Sequence, residues 1–176
     1  MTTILAIDPG VSGGIAIWRE SQPVNTAPMP PTEGDVLNLL RELVVDPANT
    51  VAVVEQVGGY VGKAQPASTA FTFGRGYGFT LGCLQTLGVR VELVRPQKWQ
   101  KALGLGSASG CASKSEWKNK LKALAQRLYP NLKPTLATAD ALLILDFAHR
   151  TAPAAIAARP DLAMSATELS SRPEAE

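Results

Sequence analysis

Residues 4–18, Ile-Leu-Ala-Ile-Asp-Pro-Gly-Val-Ser-Gly-Gly-Ile-Ala-Ile-Trp, decide how the rest of the chain is read. Ile4 to Asp8 is a short apolar strand, Gly10, Ser12, Gly13 and Gly14 make a turn, and Ile15 to Trp18 is a second strand. The chain therefore opens on a hairpin. A third strand, Val24 to Ala27, runs into Pro28, Pro30 and Pro31. Beyond them Val36, Leu37, Leu39, Leu40 and Leu43 fall at helical spacing. Val51 to Val54 is too continuously apolar for a half-exposed strand, which predicts a central strand covered on both faces, with Glu55 at its carboxyl end.

From Gln65 to Gly88 the pattern predicts a helix rich in aromatics and glycine, including Gly74, Gly76, Gly78 and Gly82. Each glycine costs a helix about 1 kcal/mol relative to alanine, so several together imply close packing in the core or against a second copy. Val89 to Val94 reads as a strand and Pro96 to Lys101 as a helical turn. Ser113 with Glu116 forms a capping-box pattern for a basic helix to Leu128, and Thr138 to Arg150 is the last helix. Three meander strands followed by alternating helices and strands predict an α/β fold, a mixed sheet flanked by helices on both faces. Residues 1–150 form the expected domain, and 151–176, rich in Ala, Pro, Ser and acids, the expected tail.

The 176 residues suit one ordinary domain. No apolar run is long enough to cross a bilayer and no leader is evident, so no membrane association is expected. Cys83 and Cys111 lie in dissimilar contexts without metal-ligand spacing, which argues against a disulfide framework or a zinc site and suits the cytoplasm. The net charge is only +2, yet residues 56–136 carry twelve basic residues against Glu92 and Glu116 alone. That bias suits a polyanion such as nucleic acid, or simply a solvated face.

Three acids stand out. Asp8 ends the first strand, although Asp-Pro-Gly is also an ordinary turn opener. Glu55 ends the central strand, where a glutamate is commonly just solvated. Asp140 shares a helical stripe with Leu143, Ile144 and Phe147 and is expected to point inward, whereas Asp146 falls off that stripe and reads as solvated. Three carboxylates in one site repel unless cations lie between them, and hard oxygen donors suit magnesium. Two such ions could activate a water and stabilise the leaving oxygen of a phosphodiester.

The segments IDPGVSGGIAI, VVEQ, SKSEWK and TADALLI together resemble the RuvC-type Holliday-junction resolvases of the RNase H-like superfamily. FGRGYG, VELVRPQKWQKALGL and the order SK, YP, ADALLI look most like the branch of the plastid resolvase and its bacterial and phage relatives. The resemblance spans about residues 3–150. It implies an RNase H-like five-stranded sheet and a homodimeric, cytoplasmic, magnesium-dependent endonuclease, manganese substituting, that nicks four-way DNA junctions symmetrically. By position, Asp8, Glu55 and Asp140 would bind metal, and Lys114 matches a lysine that contacts the scissile phosphate or its water. Such enzymes also carry an acid or histidine one turn before the last aspartate, where this chain has Ala137. Lys63, Arg75, Lys98, Lys101, Lys118 and Lys122 are the candidate phosphate contacts, and Tyr60, in a glycine-rich loop, could stack on bases of an opened junction. His149, near a helix end, reads as a surface residue. A one-domain chain is too short for the two-domain actin-like ATPases, which also open on a strand, an acid and a glycine turn. A junction-binding protein without nuclease activity is the other alternative, favoured by Ala137.

Overall fold

The computed structural model describes residues 1–58 and 66–157, with side chains to Thr151. Strands β1 (Thr3–Asp8), β2 (Gly14–Arg19) and β3 (Asn25–Pro28) form the antiparallel meander expected from the opening stretch. β4 (Thr50–Glu55) and β5 (Arg90–Val94) add in parallel on the other side of β1, giving one five-stranded sheet of order β3-β2-β1-β4-β5.

Because successive strand side chains alternate between faces, β1 feeds two cores. Leu5 and Ile7 join Ile15, Ile17, Ala52 and Val54 under helices α1 (Glu33–Leu43) and α2 (Ala67–Thr86), which contribute Val36, Leu40 and Leu84. Ile4 and Ala6 join Ala16, Val51 and Val53 on the opposite face. That face is covered by α3 (Pro96–Ala102), α4 (Lys114–Leu128) and α5 (Ala139–Ala157) through Trp99, Trp117, Leu121 and the run Leu142 to Leu145. α5 is apolar almost all round and buried accordingly. Each of its leucines contributes about 1.5–3 kcal/mol by leaving water.

Local chemistry sets the boundaries. The Thr32 side chain accepts from the Asp35 amide at the start of α1. Gly88, at φ +74°, ends α2 in the left-handed conformation that glycine adopts without strain. At α4, Ser113 accepts from the Glu116 amide as the capping-box pattern requires, but the Glu116 carboxylate reaches the amide of Ala112 rather than that of Ser113. α5 continues to Ala157, past the Arg150 where the sequence pattern ends it.

Among the described residues, none packs closely on the glycines of α2. A Cβ built at Gly74, Gly76, Gly78 or Gly82 would meet nothing within 4 Å, and Phe71 on the same helix is 72% exposed. Asp146 also departs from expectation: it is half-buried and paired with Arg150 at 2.8 Å, so it is not simply solvated. No helix among the described residues is long and apolar enough to cross a membrane.

Candidate functional site

Asp8 and Glu55 end neighbouring parallel strands. Ile7 pairs with Val54 in the β1–β4 register, so the next residue of each strand emerges at the same edge of the sheet. Two close backbone approaches fix the first acid. A Cβ at Gly13 would collide with the Asp8 carbonyl oxygen and lie 2.8 Å from its Cγ. The Gly10 amide donates to Asp8 Oδ1 at 3.3 Å. Gly14 has a different role: a Cβ there would lie 2.8 Å from the carbonyl oxygen of Ala137 and 3.3 Å from Thr138 Cα. Its bare backbone lets the start of α5 settle on the start of β2.

Asp140 comes from the first turn of α5. Thr135 and Thr138 exchange hydrogen bonds, each hydroxyl accepting from the other's amide at 3.0 and 3.2 Å, which holds the entry to the helix. The buried Asp140 then accepts from the Lys118 ammonium at 2.7 Å through Oδ2, while Oδ1 is buried without a hydrogen-bond partner. Glu55 is held from the α3 side, where the fully buried Trp99 donates its indole N–H to Oε2 at 2.9 Å.

The acids feel one another. Burial, then the charge of Asp140, raises the Asp8 carboxyl above its usual range, against the opposing pull of Lys118. Burial, then the charge of Asp8, pushes Glu55 up to about 7, with Trp99 opposing. For Lys118, burial pulls downward, but the charges of Asp140, Asp8 and Glu55 outweigh it, and the ammonium stays above its usual value. The group is thus three mutually repelling carboxylates around one built-in cation. Among the described residues, no three His, Cys, Asp or Glu side chains close to a metal coordination sphere. The donor chemistry nonetheless suits a hard cation, since the site offers only carboxylate oxygens, two of its acids hold protons abnormally tightly, and Asp140 Oδ1 is buried and unpaired.

The other sequence candidates scatter. Lys114 is exposed at the first residue of α4, and it is Lys118, one turn on, that reaches the acids. Lys98 and Lys101 on α3 and Lys122 on α4 are exposed; the Lys98 ammonium lies 5.9 Å from the centre of the Phe147 ring. Arg75 makes a two-pronged ion pair with Glu33 at 2.7 and 3.0 Å, tying α2 to α1. Tyr60 and Lys63 lie outside the described residues. His149 packs its ring on Trp18, 4.7 Å between centres, about 13 Å along α5 from Asp140 at the helical rise. A cleft of about 380 Å³ lined by Pro9, Val11, Phe71 and Phe79 opens beside the β1–β2 turn, but none of the three acids lines it.

Two roles escaped the sequence. Trp99 was legible only as part of a helical turn, although a buried indole N–H requires an acceptor and Glu55 supplies it. Lys118 precedes Leu121 by three and Ala125 by seven residues, which puts it at the edge of the buried stripe of α4 and aims it along α5.

No protein-family model and no curated protein matches the chain. Solved structures do. A Thermus thermophilus RuvC structure shares 19% identity over 86% of this chain and 97% of its own, with a TM-score of 0.56. T. thermophilus RuvC in complex with a Holliday junction substrate shares 20% identity over 85% and 96%, with a TM-score of 0.51. The chain therefore has the RuvC fold, an RNase H-like mixed sheet of five strands with helices on both faces.

Proposed function

We propose that this protein is a Holliday-junction resolvase, an endodeoxyribonuclease that hydrolyses phosphodiesters in four-way DNA junctions during recombination and repair. The observation that carries the reading is the convergence of Asp8, Glu55 and Asp140 from β1, β4 and α5 around the Lys118 ammonium. A protein of the same fold, T. thermophilus RuvC, has been solved with a Holliday junction substrate, which supports a junction as the target.

Hydrolysis joins a water oxygen to phosphorus and breaks the bond from phosphorus to one sugar oxygen. The water gives up a proton and the leaving oxygen takes one. Asp8, Glu55 and Asp140 would hold magnesium, or manganese in its place, which when bound polarises the phosphate and acidifies a water. Lys118 offers a fixed positive charge to the phosphate. Trp99 and the Gly10 amide keep Glu55 and Asp8 from rotating away. Exposed Lys98, Lys101, Lys114 and Lys122 supply salt-sensitive backbone contacts, and Tyr60 and Lys63, which follow β4 in sequence, are proposed to join them.

The open stripe Gly74, Gly78 and Gly82, spaced one helical turn apart, supports a homodimer in which α2 meets the same helix of a second copy. Such a pair would present two sites for symmetric nicks.

Ala137 favours a second reading, a protein that binds junctions without cutting them, because its methyl group offers no ligand one turn before Asp140. Incubating the protein with magnesium and a synthetic four-way junction, a linear duplex or an RNA–DNA hybrid separates these readings. Paired nicks confined to the junction support the resolvase; tight junction binding with no nicks supports the binder.

A further inference from the structure

Positive charge accumulates on α4 with no acid to answer it: from Trp117 to Ala139 the sequence holds no Asp or Glu. Glu116, one turn before Lys120, turns its carboxylate to the Ala112 amide instead. Lys120 follows Lys118 by two residues and so leaves the helix on the other side, away from the three acids. There Lys120, Leu124 and Arg127 line a groove of about 410 Å³, closed opposite by Leu103 and Leu105 from the segment after α3. The Lys120 ammonium donates to the Leu105 carbonyl at 2.9 Å and lies 5.7 Å from the centre of the Trp117 ring, which fixes it at the groove and leaves two N–H groups over. Arg127 is exposed and has no acidic partner among the described residues. Between the two cations, half-buried Leu103 and Leu124 offer apolar surface.

The chain itself runs toward this groove. α4 and α5 lie parallel, because Lys118 meets Asp140 near the start of both and Tyr129, just past the end of α4, feels the charges of Asp146 and Arg150. α5 thus carries the backbone beyond the carboxyl end of α4, and Pro160 follows soon after Ala157. Residues 158–176 hold Asp161, Glu168, Glu174 and Glu176 against Arg159 and Arg172. Fully extended they would reach roughly 60 Å, ample for a return across one helix. Their pattern matches the groove. Asp161-Leu162 and Glu168-Leu169 repeat an acid and a leucine seven residues apart, and Lys120 and Arg127 are seven apart with Leu124 between them. Seven residues of helix advance about 10.5 Å, so a helical return would set both acids opposite both cations and both leucines over the apolar strip.

We propose that residues 161–169 dock in the groove between α4 and the segment after α3, Asp161 and Glu168 pairing with Arg127 and Lys120. The docked segment neutralises part of the basic stretch from within the chain and closes this flank of α4 to a polyanion. The proposal stands whether or not the protein cuts DNA.

The test is hydrogen exchange of the full chain, read by mass spectrometry on peptides from residues 158–176. Amides of 161–169 are expected to exchange on the order of tenfold slower than an unstructured chain, equally at low and high protein concentration. Asp161→Asn with Glu168→Gln, which leaves the described fold untouched, should release them. Lys120→Glu with Arg127→Glu should do the same, and adding Asp161→Lys and Glu168→Lys to that pair should restore protection. Exchange at the unstructured rate in the unaltered protein would overturn the proposal, and would hand the groove to DNA if Lys120→Glu with Arg127→Glu also weakened binding to a linear duplex. Protection that both charge variants leave unchanged would overturn it too. Protection that grows with protein concentration would place a second copy's segment in the groove and overturn docking within one chain.

Discussion

The Lys118 ammonium lies 2.7 Å from Asp140 Oδ2, joining α4 to α5 at the point where the ends of β1 and β4 bring in Asp8 and Glu55. That contact distinguishes two lysines one turn apart. Lys118→Met should reduce junction cleavage on the order of 100-fold or more, the scale on which a fixed donor to a developing charge acts. Lys114→Met, at an exposed position, should cost only a few-fold through weaker binding. Single-turnover cleavage rates of the two variants decide between them; the reverse order would return the role to Lys114.

Trp99→Phe keeps a buried ring but leaves Glu55 Oε2 without its donor. The loss of a buried hydrogen bond to a carboxylate is expected to cost about 1–3 kcal/mol, read from urea unfolding in chelator. Cleavage should fall while junction affinity holds, because the tryptophan positions an acid and touches no DNA in this account. Equal loss of affinity and rate would argue against that role.

In metal-free protein, burial and the charge of Asp8 raise Glu55 from 4.5 to about 7. The folded protein thus holds this proton more tightly than the unfolded chain. Its contribution to stability is complete below the unfolded value and is lost as the pH rises through the folded one. The shift corresponds to roughly 3 kcal/mol, and Asp8, also raised, works in the same direction. Thermal midpoints in chelator should therefore fall between about pH 5 and pH 8, and Glu55→Gln should flatten most of the slope. Magnesium at pH 8 should restore the midpoint, since an ion that binds only the folded state stabilises it. A flat profile for the unaltered protein would contradict the buried-acid account.

The glycines separate into two kinds. Gly14→Ala brings a Cβ to 2.8 Å from two backbone carbonyl oxygens, those of Ala137 and Ala27, and should destabilise by about 2 kcal/mol or more. Gly78→Ala meets nothing among the described residues and should stabilise an isolated α2 by about 0.5–1 kcal/mol. If the stripe is the dimer face, the same change should weaken self-association, measured by sedimentation, while the monomer becomes more stable. A dimer unaffected by Gly78→Ala would move the interface elsewhere.

Much of this was legible in the residues. The hairpin was readable because Gly10, Gly13 and Gly14 interrupt two apolar runs, and β4 because a β-branched run without alternation has to be covered on both faces. Asp140 was readable because its helical neighbours are large and apolar. What stayed hidden depends on contacts between elements. The helical spacing puts both Lys114 and Lys118 at the edge of the buried stripe of α4, and only the docking of α4 on α5 sends one to solvent and the other to Asp140. The α2 glycines suggested close packing, and only the fold reveals that none of the described residues approaches them. Arg75, a candidate for phosphate by charge alone, turned out to be engaged by Glu33 because α1 packs beside α2 on the same face of the sheet.

Asp8, Glu55 and Asp140 are proposed to form one site that cuts four-way junctions. Its most direct test is cleavage of a synthetic junction with magnesium by the unaltered protein and by Asp8→Asn, with binding measured in parallel. The expected result is paired nicks near the branch point for the former, and for the latter no nicks with junction affinity retained. Nicking by Asp8→Asn at an undiminished rate would contradict it.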